Sequence, residues 1–157
     1  MDRLTLHFAL ENLNAAYAEC LDDGDLERWP DFFTEDCLYQ IIPRENYELH
    51  LPLALMRCES RGMLKDRVAA VRQTSVYAPR TMRHLISNIH VTDDANGIIR
   101  ARANYAVLET PLDEPTRVFN TGCYFDGLVL IDGALKFRER LCVFDSILIP
   151  GSLIYPI

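Results

Sequence analysis

The second half of this chain is dominated by an alternation of apolar and polar residues that begins at Thr81. Successive side chains of a strand point to opposite faces of a sheet, so this alternation predicts half-buried β-strands. We expect strands at about 82–93, 97–111, 116–131 and 134–148. The turn-forming residues between them are Asp94-Ala95-Asn96-Gly97, Asp113-Glu114-Pro115 and Ile131-Asp132-Gly133. Long strands joined by short turns indicate an antiparallel meander.

The first segment, 2–21, has helical spacing instead. Its apolar residues recur every three or four positions, at Leu6, Leu10, Leu13 and Tyr17, which predicts an amphipathic helix. The acidic stretch Asp22-Asp23-Gly24-Asp25 ends this helix and offers Asp25 as the cap of a short second helix. That second helix would hold Leu26, Trp29, Phe32 and Phe33, with Pro30 in its first turns.

The next part of the chain combines strand and loop patterns. Residues 37–42 are apolar and rich in β-forming types, so they predict a strand, and 43–47 predict a polar loop. Segment 49–58 predicts another strand, in which Pro52 indicates an edge or a bulge. Its alternating apolar residues are Leu51, Leu53 and Leu55.

A second amphipathic helix is predicted over 61–74, with Ser60 as its N-terminal cap. Its apolar face carries Leu64, Val68 and Val71. The stretch Tyr77-Ala78-Pro79 ends it, because a residue before proline avoids the helical region.

The order of these elements predicts the fold class. Helices first and a meander later indicate an α+β fold, in which a curved, mostly antiparallel sheet wraps around the N-terminal helices to form a cone. We find no repeat and no Gly/Ser linker, so we expect one domain over 1–157. The apolar tail 153–157 is too short for a strand pair of its own, and we expect it to dock, on another subunit for example.

Composition and charge exclude some classes of partner. The net charge is −7, with 23 acidic and 16 basic residues, which argues against nucleic acid and gives no reason to expect an anionic membrane. The first residues carry acidic and amide side chains within their apolar run, so they do not resemble a signal peptide. No apolar run approaches the ~18 residues of a membrane span.

The five cysteines are Cys20, Cys37, Cys58, Cys123 and Cys142. They are scattered, odd in number and without a CxxC pair, so we expect reduced, mostly buried thiols in a cytoplasmic protein.

The sequence lacks the ligand patterns of common metal and nucleotide sites. A Rieske cluster needs paired Cys and His motifs, and no cysteine lies two or three residues from a histidine. The histidines are His7, His50, His84 and His90. On a regular strand His84 and His90 would share a face but lie ~20 Å apart, too far to chelate one ion. Phosphate-binding glycine motifs and a GxSxG elbow are absent as well.

One acid–base hypothesis remains. A cone can enclose a pocket in which His84 and a partner transfer protons, and the candidate partners are Asp36, Tyr17, Tyr39 and Asp145. The alternative for His84 is a hydrogen-bonded structural or interface residue. Asp36 would then serve the turn before strand 37–42, and Tyr17 would be a core residue. Trp29, Phe32 and Phe33 favour a hydrophobic core cluster over a ligand cage.

Several stretches together resemble one known family. They include the opening helix and its acidic turn, then WPDFFTEDCLYQI, PRENYELHLPLALMRCESRGMLKDRVAAV, RHLISNIHV, VFNTGCYFD, LKFRERLCVFDS and IPGSLIYPI. They resemble the small (β) subunits of Rieske-type aromatic-ring-hydroxylating oxygenases, over essentially the whole chain. The similarity is greatest to the salicylate 5-hydroxylase type, with terephthalate and anthranilate dioxygenase small subunits as wider relatives.

The resemblance implies a cystatin-like cone, shared with nuclear transport factor 2 and scytalone dehydratase. It implies a non-catalytic structural subunit beside a large α subunit, which would carry a Rieske [2Fe-2S] cluster and mononuclear Fe(II), in an α3β3 hexamer. NADH would supply electrons through a reductase and a ferredoxin, for conversion of salicylate to gentisate in aromatic catabolism. No catalytic, cofactor-binding or metal residue carries over to this chain. The other hypothesis is a stand-alone cone-fold isomerase or dehydratase that uses His84, since fold alone does not fix function.

Overall fold

The computed structural model describes residues 2–74, 78–149 and 152–157. The helices are α1 (Arg3–Asp22), a 3₁₀ helix (Trp29–Phe32), α2 (Arg44–Glu48) and α3 (Arg61–Gln73). The strands are β1 (Phe33–Pro43), β2 (Met56–Cys58), β3 (Arg80–Ala95), β4 (Ile98–Pro111), β5 (Arg117–Ile131) and β6 (Ala134–Phe144). None of the helices in these described ranges is long and apolar enough to cross a membrane.

The strands form one six-stranded sheet in the order β2-β1-β6-β5-β4-β3. Strands β3 to β6 pair antiparallel with their chain neighbours, which confirms the predicted meander. Strand β1 pairs parallel with β6, so the sheet is mixed. The α+β class is confirmed: helices pack on a curved sheet, and α1 lies against β3 and β6.

Strand β6 ends at Phe144, so the expected extent of 134–148 was too long. The Asp145 amide still donates to the Thr121 carbonyl, but the apolar side chains of Ile147 and Leu148, which follow Ser146, are 89% and 83% exposed. Their apolar character is typical of a strand, yet both side chains are largely exposed.

A bulge in β3 overturns the expectation that His84 and His90 share a face. The pairing with β4 shifts between Ser87 and His90, and Asn88 between them has a positive φ of 55°. Because one extra residue reverses the alternation, His84 points into the core and His90 is exposed.

Both predicted amphipathic helices are confirmed. The Asp2 carboxylate accepts hydrogen bonds from the Leu4 and Thr5 amides and so caps α1. The Ser60 hydroxyl accepts from the Met63 amide at the start of α3, as predicted. The buried face of α3 consists of Leu64, Val68 and Val71. The predicted helix end at Tyr77 lies outside the described residues.

Four local predictions were wrong in part. The short second helix is a single 3₁₀ turn that begins after Arg28 rather than at an Asp25 cap, and Phe33 already belongs to β1. Residues 43–47 contain α2 instead of a loop. Of the strand predicted over 49–58, only Met56–Cys58 pairs with β1. The leucines before it are largely exposed.

Candidate functional site

The interior of the cone is organised around Arg140, whose side chain is fully buried. Its Nε and Nη2 donate to the two oxygens of Asp126, each at 2.9 Å, and Nη2 also donates to Asn14 Oδ1 at 2.6 Å. This network joins β6, β5 and α1. Burying a charged pair is costly unless its hydrogen bonds are nearly complete, which explains the close bidentate geometry.

Aromatic rings surround the same guanidinium. Its Cζ lies 4.3 Å from the ring centroid of Tyr17, 4.1 Å from that of Tyr124 and 3.9 Å from that of Phe137. The negative faces of these rings stabilise the cation in a site that excludes water. Burial raises the pKa of both tyrosines, so their hydroxyl groups remain neutral.

The tail fills the remaining space inside the cone. The main-chain oxygen of Ile157 accepts hydrogen bonds from the hydroxyls of Tyr17 and Tyr39, both at 2.9 Å, and from the Cys142 thiol at 3.4 Å. The Ile157 amide donates back to the Tyr39 hydroxyl at 2.9 Å. The prediction that the tail docks is confirmed, but it docks on this chain itself and not on another subunit, which was the example given for it. The prediction that Tyr17 is a core residue is confirmed.

His84 does form a pair with a carboxylate, but with one that the sequence did not suggest. Its Nδ1 lies 2.7 Å from Asp22 Oδ1, and its main-chain amide donates to the same carboxylate at 3.0 Å. The two side chains are 2% and 11% exposed. The histidine Nε2 is buried and has no hydrogen-bond partner in the described part of the chain. Asp22 was interpreted only as part of the turn that ends α1, because 62 residues separate it from His84.

The four partners proposed for His84 are all engaged elsewhere. Tyr17 and Tyr39 hold the tail, and Arg44 Nε donates to Asp145 at 2.7 Å. Asp36 lies within β1, not in a turn before it, and its carboxylate is 3.3 Å from Arg138. These four assignments are therefore wrong as partners of His84, although a histidine–carboxylate pair exists.

A cleft of about 300 Å³ lies beside this pair, between α1 and β3. It is lined by Glu11, Asn14, Ala15, Ala18, His84, Leu85, Ile86 and Ile89. A histidine oriented by a carboxylate can accept and return a proton, which is the chemistry that this arrangement allows.

The donor groups of the described residues do not fit an iron site of either Rieske or mononuclear type. No group of three or more His, Cys, Asp or Glu residues converges in those ranges. All five cysteines are free and buried, which confirms the expectation for the thiols. Burial raises the pKa of Cys20 and Cys37 to about 11 and that of Cys142 to about 12, so these thiols stay protonated near neutral pH.

The chain is similar in sequence to small subunits of aromatic-ring dioxygenases. The chain is 34% identical to the anthranilate 1,2-dioxygenase small subunit of Burkholderia cepacia, over 96% of this chain and 93% of that one. It is also 34% identical to the beta 2 subunit of the terminal oxygenase component of terephthalate 1,2-dioxygenase from Comamonas, over 85% of this chain and 86% of that one.

Solved structures agree with this relationship. The beta subunit of a proposed aromatic-ring-hydroxylating dioxygenase from Novosphingobium aromaticivorans superimposes with a TM-score of 0.89 at 41% identity, and 98% of each chain is covered. A proposed scytalone dehydratase from the same organism has a TM-score of 0.66 at 23% identity, covering 88% of this chain and 83% of that one. The second likeness concerns the fold alone and confirms the expected cone.

The family model of the ring hydroxylating beta subunit matches residues 16–150. The chain belongs to this family.

Proposed function

We propose that this chain is the non-catalytic small subunit of the oxygenase component of a Rieske-type aromatic-ring hydroxylase. The observation that carries the proposal is the family match over residues 16–150. The anthranilate 1,2-dioxygenase small subunit, similar along almost the whole chain, supports it. The cone of this family member would serve assembly, not chemistry.

The contents of the cone support a structural role. In enzymes a ligand pocket is a preformed concave space with a few converging polar groups. Here the polar groups at the centre of the interior bind one another or the tail: Arg140 binds Asp126, and Tyr17 and Tyr39 bind Ile157. A substrate would have to displace the tail before it could reach those groups.

The proposal assigns the redox chemistry to a large α subunit. That partner would hold a Rieske [2Fe-2S] cluster and mononuclear Fe(II), and an α3β3 hexamer is the proposed assembly. Electrons would pass from NADH through a reductase and a ferredoxin. A cytoplasmic location is part of the same proposal, since soluble NADH is the electron source.

The proposed substrate is an aromatic carboxylic acid, with conversion of salicylate to gentisate as the specific reaction. In that reaction one oxygen atom of O₂ enters the ring and the other leaves as water, and two electrons come from NADH. Support comes from the sequence resemblance to the salicylate 5-hydroxylase type. The similar chains from anthranilate and terephthalate dioxygenases are named for aromatic carboxylates too.

The experiment compares the α subunit expressed alone with α expressed together with this chain. We expect only the co-expression to give soluble enzyme that hydroxylates salicylate when NADH, the reductase and the ferredoxin are supplied. An α subunit that is equally stable, equally active and equally selective without this chain would overturn the structural role. Substrate specificity is measured separately. The rate of gentisate formation from salicylate is compared with the rates of product formation from anthranilate and from terephthalate.

A second candidate function, a stand-alone isomerase or dehydratase, has one observation in its favour, the His84–Asp22 pair beside a cleft. The same carboxylate also binds the His84 main-chain amide, which is what a structural clamp between α1 and β3 requires. A thermal-shift screen of the isolated chain with aromatic acids separates the two. A ligand that stabilises the wild type but not His84→Asn favours the stand-alone enzyme. If none of the acids stabilises the wild type, the enzyme hypothesis is rejected.

A further inference from the structure

Two segments outside the cone expose large apolar side chains. Segment 49–55 exposes four leucines, Leu49, Leu51, Leu53 and Leu55, to between 45% and 73%. Ile147 and Leu148, which follow β6, are still more exposed. Contiguous exposed apolar surface is unusual on a chain that stays alone and marks a site of protein interaction.

These two segments border one groove, with a volume of about 640 Å³. Its apolar lining includes Leu49, Leu55, Phe144, Ile147 and Ile149. The Asn46 side-chain amide donates to the Leu53 carbonyl at 2.8 Å and so fixes the leucine segment against α2. Arg44 binds Asp145 across the groove, which ties α2 to the segment after β6. The groove is therefore shaped by defined contacts.

The charged groups of the groove favour one kind of partner. Among its described lining residues, Arg44 is the only cation, whereas three are carboxylates: Glu45, Glu48 and Asp145. A two-fold contact between two copies would place this acidic rim against itself, and a contact of any other symmetry would place it against another acidic chain; like charges in an interface cost free energy. The whole chain is acidic too, with a net charge of −7.

We propose that this groove, named here the leucine groove, is the surface on which the large α subunit docks, with apolar side chains in the groove and basic groups against its acidic rim. This inference rests on the proposed function, because it takes the α subunit as the partner. It adds the surface and the chemistry of the contact.

The test co-purifies α with variants of the full chain. Leu49→Ser combined with Ile147→Ser changes two side chains that line the groove and are 61% and 89% exposed, so folding should be unaffected. The matched control is Leu4→Ser with Leu112→Ser, both 79% exposed and neither lining the groove. We expect at least about tenfold weaker capture of α by the groove variant, as for loss of interface hot spots, and wild-type capture by the control.

A second variant tests the charge argument without touching the leucines. Glu45→Lys with Glu48→Lys should weaken capture of α most at low salt, because salt screens the rim charges. Wild-type capture by both groove variants would overturn the proposal. So would an equal loss in the control, or a change in self-association of this chain with capture of α intact, which would make a second copy the occupant.

The failure of the underlying function gives a different result. If the wild-type chain captures no larger iron-containing chain at all, the proposed function fails and the inference with it. If the wild type captures α and the groove variants do so equally well, only the docking surface is wrong.

Discussion

At the scale of single residues, the hydroxyl group of Tyr39 makes two hydrogen bonds that hold the tail inside the cone. Tyr39 donates to the main-chain oxygen of Ile157 and accepts from its amide, and both atoms of Ile157 lie in a buried environment. A buried polar group that loses its partner pays the full cost of desolvation. The side chain of Tyr39 is therefore worth more to stability than its ring alone.

Tyr39→Phe should lower the free energy of unfolding by about 1–3 kcal/mol, since it leaves the Ile157 amide unpaired in the core. Denaturant unfolding measures this loss. Tyr47→Phe is the control, because the half-buried Tyr47 stacks on Phe125 and no hydrogen bond of its hydroxyl is seen among the described residues. Equal effects of the two substitutions would contradict the role given to the Tyr39 hydroxyl.

Glu27 provides a pH-dependent contribution at the surface. Arg72 donates to both of its carboxylate oxygens, each at 2.8 Å, and these hydrogen bonds lower the pKa of Glu27 from 4.5 to about 2. A carboxyl with a depressed folded-state pKa adds stability above its unfolded pKa and loses it as the pH falls. The contribution should therefore disappear between about pH 4.5 and pH 2.

Glu27→Gln should lower Tm slightly near neutral pH, and the difference from wild type should shrink to nothing as the pH falls to about 2. Thermal unfolding at a series of pH values checks this, with Arg72→Gln expected to show the same trend. A difference in Tm that stays constant down to that pH would show that the carboxylate charge is not responsible.

At the scale of elements, strands β5 and β6 leave no room for a side chain at Gly122. A Cβ at this position would lie 2.1 Å from the Val143 carbonyl oxygen and 2.8 Å from the Phe144 Cα. Both are main-chain atoms, so the strands themselves would have to move apart. Glycine is required here by space rather than by backbone conformation.

Gly122→Ala should destabilise the fold by about 1–3 kcal/mol, as overpacking of a core does. Gly62→Ala is the matched control in the first turn of α3, where the added Cβ meets only the Ser60 Oγ at 3.6 Å. There alanine should be neutral or stabilising by up to about 1 kcal/mol. Chemical denaturation of the two variants would contradict this reading if Gly122→Ala were as stable as wild type.

What could be predicted from sequence was local. Helices α1 and α3 and the four-stranded meander follow from periodicity, from the Ser60 cap and from turn residues close in the chain. The parallel pairing of β1 with β6 joins distant segments, so no local pattern reveals it. The leucines of 49–55 alternate as a strand does, but only the residues after them, Met56–Cys58, pair with a neighbouring strand.

The interior site escaped prediction for the same reason. Asp22 and His84 meet only because α1 crosses β3. Asp126 and Arg140 did carry a usable sign, since each interrupts the apolar positions of a strand with a charge. Two opposite charges at inward positions of neighbouring strands indicate a buried ion pair, and this would have located the centre of the cone.

At the scale of the whole molecule, the two edges of the sheet and the leucine groove determine what the chain can contact. The long edge strand β3 is interrupted by the bulge at Asn88, and the main-chain amide of His84 already donates a hydrogen bond to the Asp22 carboxylate. Both features discourage pairing of further strands along that edge. The groove carries exposed apolar side chains without such protection, so the molecule is best suited to a partner on that face.

The most direct test of the account is to purify this chain by affinity tag from a cell that carries its native operon, and to measure the mass and iron content of the material that co-elutes. The account predicts a complex with a larger chain in equal ratio, in which iron stays with the larger chain when the two are separated. A homo-oligomer of this chain, free of iron and without a partner, would contradict it.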